Sequence, residues 1–263
     1  MTKLDELKKI LRGLGNVAVA FSGGVDSTFL LKVARDVLGE NVLALTAASV
    51  FVPRRELDSA KKFCVENDIR QKIFSADVLD ISGVKENPAD RCYLCKRALF
   101  ENFLRLAEGK ILVEGSNTDD VGDYRPGMRA LAELGIKSPL RDADLSKAEI
   151  RTLSRAMNLP TADKPSMACL ASRIPYGELL TAEKLSRVEA AEEFLSDAGF
   201  TQLRVRVHGN IARIEIPPEA FPRLMELRGV VTEKFQSLGF TYVTLDLQGF
   251  RSGSMNVALK NSR

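Results

Sequence analysis

The sequence predicts an α/β protein with a parallel sheet, followed by a smaller α+β domain. Two observations support this fold class. Apolar runs alternate with amphipathic segments up to about residue 140, and the pattern changes to a hairpin flanked by helices after residue 177. Near-continuous apolar strands between amphipathic helices are typical of a parallel sheet covered on both faces. We therefore expect one domain at residues 1–177 and a second at residues 178–263.

The first domain alternates predicted strands with predicted helices. The strand-like runs are Val17–Phe21, Val42–Thr46, Gln71–Ser75 and Ile111–Glu114. The helix-like runs are Ser27–Leu38, Arg54–Asn67 and Cys92–Ala107, and a charged helix at Ser146–Met157 follows them. The carboxyl ends of parallel strands face one crevice, so we expect ligands to bind there.

The second domain is predicted to contain a helix, a hairpin, a further helical region and a last strand. The Gly209-Asn210 pair is a favoured two-residue hairpin turn. The elements are a helix at Ala182–Ala198, strands at Gln202–His208 and Ile211–Ile216, one or two helices within Glu219–Leu238, and a strand at Thr241–Leu247.

The composition is that of a soluble globular protein with a hydrophobic core. Of the 263 residues, 45% are apolar and 28% are charged. The net charge of +3 gives no general argument for a nucleic-acid partner. No apolar stretch is long enough to cross a bilayer, and the amphipathic start, MTKLDELKKILRGLG, does not resemble a signal peptide. We therefore expect a cytoplasmic protein with no membrane partner.

A glycine-rich turn directly follows the first predicted strand. In the stretch Ser22-Gly-Gly-Val-Asp-Ser27, Gly23 and Gly24 allow close approach of an anion to backbone N–H groups at a helix start. Ser22 and Ser27 add hydroxyl groups, and Asp26 is suited to a metal ion or to capping the helix. The alternative is a helix capped by serine or aspartate, with glycines for turning. The turn lacks the Gly-Lys-Ser/Thr ending of Walker A loops.

Three of the four cysteines are candidates for sulfur or metal chemistry. Cys92 and Cys95 form a CxxC pair followed by two basic residues at a predicted helix start, and Cys169 lies in a loop near an arginine. Such surroundings favour the thiolate. A zinc site needs four ligands, whereas three thiolates suit a 4Fe–4S cluster with one open iron. The alternative is that the pair and Cys169 are unrelated. Cys64 falls on an apolar helix face and is expected to be a packing residue.

The predicted hairpin carries an unusual set of charges. Alternation along Leu203–His208 places Arg204 and Arg206 on one face, with Arg213 opposite Arg206 and Glu215 opposite Arg204. Like charges in direct opposition destabilise a hairpin unless something compensates. A phosphate or carboxylate ligand would compensate, since arginine binds both bidentately. The alternative is a solvated basic face.

The stretch S-G-G-V-D-S resembles the PP-loop of the ATP pyrophosphatases, whose fold is of the adenine nucleotide alpha hydrolase type. The resemblance implies that residues 22–27 bind the pyrophosphate end of ATP while attack at the α-phosphate adenylates the substrate. It also implies that Ala44 and Thr46 line the adenosine-binding edge and that Gly115 lies in a second nucleotide-contact loop. Asp120 of that loop is a candidate Mg²⁺ ligand, or else a solvated turn residue.

Longer motifs narrow the resemblance to the LarE family, sulfur transferases that help to make the nickel-pincer nucleotide cofactor of lactate racemase. The resemblance extends over essentially the whole chain. It implies ATP-dependent adenylation of pyridinium-3,5-biscarboxylic acid mononucleotide, followed by sulfur insertion. The motifs are CYLCK, SNTDDVGDYRPGMRA, SPLRDADLSKAEIR, KPSMACLASRIPYGE and DLQGFRSGSMN.

The family resemblance implies two possible sulfur sources. In one, the cysteine matching Cys169 gives up its own sulfur; in the other, Cys92, Cys95 and Cys169 hold a 4Fe–4S cluster whose open iron carries hydrosulfide. The presence of all three cysteines favours the cluster. The resemblance further implies that Arg204 and Arg206 bind the substrate phosphate, with Glu215 as a candidate metal ligand. We also expect a homo-oligomer, and the sequence does not identify the source of sulfide.

Three other classes compete with this interpretation. A PP-loop tRNA thiolase would need an RNA-binding domain or a broad basic stripe, and the sequence has neither. An amide-forming PP-loop synthetase would leave the thiols without a purpose, and no glutaminase segment is present. A non-catalytic nucleotide sensor would not turn ATP over. A small anionic substrate is therefore expected rather than a nucleic acid.

Overall fold

A computed structural model of the chain describes residues 2–120, 126–166 and 168–251. It divides into two compact units. The first comprises Met1–Ile81 and Asp90–Met167, and the second comprises Ser82–Ala89 and Ala168–Arg263. The boundary expected at residue 177 stays a prediction, because compactness does not show that either unit folds alone. Parts of three family motifs, residues 121–125, residue 167 and residues 252–256, lie outside the described residues.

The first unit is built on a four-stranded parallel sheet. Its strand order is β3-β2-β1-β4, which puts the first strand in the interior of the sheet. The strands are β1 (Val17–Ala20), β2 (Val42–Ala48), β3 (Gln71–Ser75) and β4 (Ile111–Val113). All pairings are parallel, and Val17 of β1 aligns with Val42 on one side and Ile111 on the other. The predicted α/β class with a parallel sheet is confirmed.

Helices cover both faces of this sheet. They are α1 (Lys3–Leu14), α2 (Val25–Leu38), α3 (Arg54–Glu66), α4 (Arg91–Leu106), α5 (Pro126–Glu133), α6 (Pro139–Asp142) and α7 (Lys147–Ala156). Val17 and Val19 of β1 pack with side chains of α1, α2, α3 and α7, whereas Ala18 packs with those of α4 and α5. Successive strand residues point to opposite faces, so the two apolar clusters lie on opposite sides of the sheet.

The second unit has the expected α+β composition. Its elements are α8 (Ala182–Asp197), β5 (Arg204–His208), β6 (Ile211–Glu215), α9 (Phe221–Glu226), α10 (Arg228–Ser237) and β7 (Tyr242–Leu245). Strand β5 pairs antiparallel with β6, and β6 pairs parallel with β7. The predicted hairpin turn is confirmed, with Gly209 at a φ of 58° that glycine adopts without steric cost.

A segment from the middle of the chain belongs to the second unit, which hydrophobic periodicity did not predict. Within Ser82–Ala89, Asn87 is fully buried. Its side-chain Nδ2 donates to the carbonyls of Ile174 (3.2 Å) and Pro175 (2.7 Å). Its own carbonyl accepts a hydrogen bond from the N–H of Gly177 at 2.9 Å. One buried asparagine therefore ties this early segment to a much later loop.

Helix α7 begins with a capping box that also connects it to α1. The Ser146 hydroxyl and backbone N–H donate to the Glu149 carboxylate at 2.8 and 2.9 Å, and the N–H of Glu149 donates back to Ser146 Oγ at 3.3 Å. Lys3 of α1 lies 3.0 Å from the same carboxylate. Hydrogen bonds from the Ser146 backbone, the Ser146 hydroxyl and Lys3 lower the pKa of Glu149 to about 2.

Among the described residues, no helix combines the length and the apolar character that crossing a membrane requires.

We expect Glu149→Gln to lower the free energy of unfolding above pH 4.5, and this effect to fade as the pH falls from 4.5 towards 2. The pKa of Glu149 in the folded protein lies below its ordinary value of 4.5, so ionisation of the carboxylate stabilises the fold at higher pH. Denaturant unfolding of both proteins across this range measures the difference. Glu66→Gln, at the end of α3 and outside any capping box, serves as control. An equal loss at every pH would contradict the assignment.

Candidate active site

The glycine turn joins β1 to α2 in a conformation that only glycine accommodates. Gly23 has a φ of 72°, and a Cβ atom there would lie 3.3 Å from Ala60 Cβ on α3. Gly24 is the N-cap of α2, and no side chain caps the helix. The interpretation of this turn as a serine- or aspartate-capped helix is therefore wrong. The first N–H groups of a helix lack partners within it and attract anions.

The two serines of the turn hold its shape. The Oγ atoms of Ser22 and Ser27 are 3.1 Å apart, and Ser27 Oγ donates to the carbonyl of Gly24 at 3.2 Å. Ser27 is buried, while Ser22 is exposed. Ser27 thus closes the turn from within, and the exposed Ser22 hydroxyl lies at its outer side.

Asp26 has the chemistry that a phosphate-bound magnesium ion requires. Its Oδ2 lies 2.5 Å from Lys147 Nζ, and its Oδ1 is buried without a hydrogen-bond partner among the described residues. A buried polar atom without a partner is costly and calls for an explanation. Carboxylate oxygen is a preferred Mg²⁺ ligand, so this atom fits such an ion beside the anion-binding turn.

The predicted adenosine edge lies inside the sheet. Ala44 is fully buried, and its N–H donates to the carbonyl of Arg70 at 2.9 Å. The Thr46 hydroxyl donates to the Phe21 carbonyl and accepts from Gln71 Nε2, both at 2.9 Å. Thr46 therefore ties the end of β1 to its neighbours. Contact of either residue with adenosine stays a prediction.

The loop after β4 packs directly on the start of α2. A Cβ atom at Gly115 would lie 3.0 Å from the backbone nitrogen of Ser27. The buried carboxylate of Glu114 accepts hydrogen bonds from the Ser116 hydroxyl (2.7 Å) and the Ser138 hydroxyl (2.5 Å). These bonds fix the loop, so Gly115 lies against the turn. Contact of Gly115 with the nucleotide, which the family resemblance implies, stays a prediction.

Asp120 belongs to a short 3-10 turn, Thr118–Asp120, in the same loop. Its Oδ2 accepts a hydrogen bond from the N–H of Asn117 at 3.0 Å. The role of Asp120 as a magnesium ligand stays a prediction.

Two lysines from outside the turn contact it, and neither was predicted from the sequence. Lys147 pairs with Asp26, and Lys164 Nζ donates to the carbonyl of Gly23 at 3.1 Å. Lys164 also lies 2.6 Å from the carboxylate of Glu56 on α3. No periodicity or local spacing connects residues so distant in the chain. The available signal was that both lysines lie within family motifs, Lys147 in SPLRDADLSKAEIR and Lys164 at the start of KPSMACLASRIPYGE.

Cys92 and Cys95 lie in the first turn of α4. Their spacing of three residues places them on one helix face, and both are half-buried. The buried Arg91 guanidinium lies 3.8 Å from Cys92 Sγ. Cys64 is buried within α3, and burial raises its pKa to about 12, in agreement with a packing role. Two thiols at a helix start fit part of a thiolate ligand set.

In the second unit, a buried arginine holds the backbone around Cys169. Arg173 is completely buried. Its Nη1 donates to the carbonyls of Ala168 (2.5 Å) and Cys169 (3.0 Å), and its Nε and Nη2 each donate to Glu192 of α8 at 2.9 Å. Glu192 also accepts from the N–H of Val205 on β5 at 2.9 Å. The loop that carries Cys169 is thus fixed to both α8 and β5.

The hairpin register is as predicted, but its arginines are buried. Arg204 pairs with Glu215 across the strands, and Arg206 pairs with Arg213. Arg204 and Arg206 are only 6% and 5% exposed, so the alternative of a solvated basic face is wrong. The fully buried Glu215 carboxylate lies 3.0 Å from Arg206 and 2.9 Å from Arg213. A carboxylate of the protein itself therefore offsets the opposed like charges.

Arg206 and Arg204 differ in their surroundings. Arg206 donates through Nη1 to the carbonyl of Ser172 at 2.8 Å, which adds a second contact to the Cys169 loop. Arg204 donates to the Leu203 carbonyl at 2.7 Å. Burial, followed by the charge of nearby Arg173, lowers the pKa of Arg204 to about 10. Arg204 therefore lies buried among two other arginines, Arg173 and Arg206, and two carboxylates, Glu192 and Glu215.

Within residues 2–120, 126–166 and 168–251, no three His, Cys, Asp or Glu side chains are gathered around a point that could hold a metal ion. The metal-ligand role of Glu215 and the joint ligation of a cluster by the three cysteines stay predictions.

Comparison with known proteins identifies the family. No family model matches the chain. It is 38% identical to the pyridinium-3,5-bisthiocarboxylic acid mononucleotide synthase of Lactiplantibacillus plantarum, over 100% of this chain and 96% of the relative. The chain belongs to the LarE family of ATP-dependent sulfur transferases. The present chain is also 42% identical to an uncharacterized protein of Synechocystis, over 98% of both chains.

A more distant relative agrees with the ATP-using fold. A glutamine-hydrolyzing GMP synthase component of Thermoplasma acidophilum is 28% identical over 74% of this LarE-family chain and 68% of the relative. This similarity supports the PP-loop assignment of the parallel-sheet unit.

We expect Gly115→Ala to destabilise the protein by about 1–3 kcal/mol and to weaken ATP binding, because the added methyl group displaces the start of α2. Thermal unfolding and calorimetric titration with ATP measure the two effects. Gly13→Ala is the matched control. A Cβ atom there meets nothing within 4 Å, and the change should stabilise α1. Unchanged stability and affinity in the Gly115 variant would contradict the close packing.

We expect Arg173→Met to cost about 3–5 kcal/mol, since it leaves the Glu192 carboxylate buried without its partner. Denaturant unfolding measures the loss. Arg155→Met removes an exposed ion pair with Asp163 and should cost less than about 1 kcal/mol. Similar small losses in both variants would show that the buried pair does not hold the Cys169 loop.

Proposed function

We propose that this protein adenylates a carboxylate of pyridinium-3,5-biscarboxylic acid mononucleotide and converts it to a thiocarboxylate. The full-length relative from L. plantarum is named for the bisthiocarboxylic acid product. The observation that carries the proposal is the glycine turn, where Gly23, the start of α2 and the unpartnered Asp26 oxygen form an anion- and cation-binding site. Such a site suits the pyrophosphate end of ATP.

The proposed reaction has two stages. A substrate carboxylate attacks the α-phosphate of ATP, and the bond to the β-phosphate breaks as pyrophosphate leaves. N–H groups at the start of α2 stabilise the negative charge that develops on this leaving group. A sulfur nucleophile then attacks the acyl adenylate, and AMP leaves to give the thiocarboxylate. Adenylation makes an unreactive carboxylate an acylating agent, which is why ATP is required.

Magnesium is the cation that we propose at the turn. Asp26 would hold it through Oδ1, with Asp120 as a further candidate ligand. When bound, the ion neutralises charge on the ATP phosphates. Lys147 holds Asp26 through its other oxygen at 2.5 Å, which keeps Oδ1 in a fixed direction.

We propose that Cys92, Cys95 and Cys169 hold a 4Fe–4S cluster as the sulfur donor. The paired thiols at the start of α4 support this assignment, because they provide two ligands on one helix face. A cluster with one open iron would supply sulfur in nucleophilic form. The alternative donor is Cys169 itself, whose carbonyl is held by the buried Arg173 at 3.0 Å.

We propose that Arg204 contributes to binding of the substrate phosphate. Burial and the positive charge of Arg173 disfavour the charged form of Arg204, so an added anion would be stabilised beside Arg204. Arg206 supports this site through its bond to the Glu215 carboxylate. The same carboxylate contacts Arg213 as well as Arg206, so Glu215 orients both arginines, and its role as a metal ligand stays a prediction of the sequence. A homo-oligomer stays a prediction of the sequence.

The test combines metal analysis with mass spectrometry. The protein is purified anaerobically, analysed for iron and sulfide, and then incubated with ATP, the pyridinium substrate and added sulfide. We expect AMP and pyrophosphate to form only with substrate, sulfide to be present in at least the amount of iron, and the protein mass to remain unchanged after turnover. Cys92→Ala should abolish thiocarboxylate formation, whereas Cys64→Ala, the matched control, should preserve it.

Two outcomes would contradict parts of the proposal. Loss of the mass of one hydrogen sulfide from the protein, with an active Cys92→Ala variant, would identify Cys169 as the sacrificial donor. Absence of substrate-dependent AMP formation would overturn the adenylation step itself.

A further inference from the structure

The glycine turn contains no lysine, although binding the terminal phosphates of ATP benefits from a nearby positive charge. In Walker A loops, a lysine within the loop supplies this charge. Here a lysine distant in sequence occupies a comparable place, because Lys164 Nζ lies 3.1 Å from the carbonyl of Gly23. That carbonyl belongs to the glycine turn itself, so the ammonium group lies in direct contact with the backbone of the turn.

The backbone of Lys164 is held in place from another helix. Arg151 of α7 donates through Nη1 to the carbonyl of Ala162 at 2.6 Å and through Nη2 to the carbonyl of Lys164 at 2.7 Å. The Lys164 side chain is only 18% exposed. A fixed backbone and a mostly buried stem direct the ammonium group toward the turn.

Among the residues that the structure describes, the acceptors around the Lys164 ammonium group leave one N–H donor for a ligand. An ammonium group carries three N–H bonds. The Gly23 carbonyl accepts one, and the Glu56 carboxylate, at 2.6 Å, accepts another. The Glu56 carboxylate, whose side chain is 15% exposed, places a negative charge beside the anion-binding turn. Lys164 offsets that charge, and without it Glu56 would repel a phosphate.

Lys147 is less suited to the same task. Its ammonium group lies 2.5 Å from Asp26, the residue that we assign to the magnesium ion. Lys164 instead contacts a neutral carbonyl of the turn itself.

We propose that Lys164 binds the pyrophosphate part of ATP, with Glu56 as its counter-ion when no nucleotide is bound. The inference rests on the proposed use of the turn for ATP and adds a specific ligand for the leaving group. A positive charge at this point strengthens binding of ATP and stabilises the pyrophosphate as the bond to the α-phosphate breaks. Because Glu56 is negatively charged and Lys164 is positively charged, we expect the two residues to have opposite effects on anion binding.

The test measures binding of inorganic pyrophosphate, ATP and AMP to the full-length protein by calorimetry. Lys164→Met should weaken pyrophosphate and ATP binding about tenfold or more, the loss of one charged hydrogen bond, and leave AMP binding nearly unchanged. Lys164→Arg should restore part of the affinity. Glu56→Gln should strengthen pyrophosphate binding. Lys61→Met, which removes an exposed lysine of α3 paired with Asp58, is the control and should change none of the three.

The outcomes separate this inference from the function on which it rests. If Lys164→Met and Glu56→Gln weaken pyrophosphate binding alike, or if AMP binding falls as much as pyrophosphate binding, the pair is purely structural and the inference is wrong. Thermal unfolding of each variant shows whether the fold is retained. Substrate-dependent ATP consumption by the unaltered protein tests the proposed function independently.

Discussion

Close packing of backbone against backbone around the glycine turn is the constraint on which the nucleotide site depends. A Cβ atom placed on Gly23 would lie 3.3 Å from Ala60 Cβ, and one placed on Gly115 would lie 3.0 Å from the backbone nitrogen of Ser27. Elements α2, α3 and the loop after β4 can therefore meet only where side chains are absent. This packing presents helix N–H groups, a carboxylate and a lysine to the same small region, and the combination suits an anion-binding turn to chemistry on ATP.

In the second unit, buried charged side chains fix the backbone of the loop that carries Cys169. Arg173 and Glu192 connect the loop of Cys169 to a helix and a strand, and Arg206 adds a bond to the same loop. Buried ion pairs are seldom a strong source of net stability, because removing charges from water is costly. Their value here is geometric, since planar guanidinium groups fix several carbonyls and carboxylates at once. These contacts fix the backbone position of Cys169.

The sequence was informative where local rules apply. Alternation and turn chemistry predicted the hairpin and the pairing of Arg206 with Arg213, because both depend on residues close in the chain. The order of apolar strands and amphipathic helices predicted the parallel sheet. Sequence did not predict that Glu215 offsets those charges, because alternation does not reveal whether a polar face is buried. The contacts of Lys164 and Arg173 were not predicted for a related reason. Their partners, Gly23 and Glu192, are brought close only by tertiary packing.

The contacts of Asn87 have a consequence for biosynthesis. This residue emerges from the ribosome well before Ile174 and Pro175, whose carbonyls accept its hydrogen bonds. At about 5–20 residues per second, its amide waits several seconds for these acceptors to be translated. The segment around Asn87 must therefore stay solvated in the nascent chain while the parallel sheet forms from strands that precede and follow this segment. A fragment expressed from residue 178 onward would lack this asparagine altogether, and its partner loop with it.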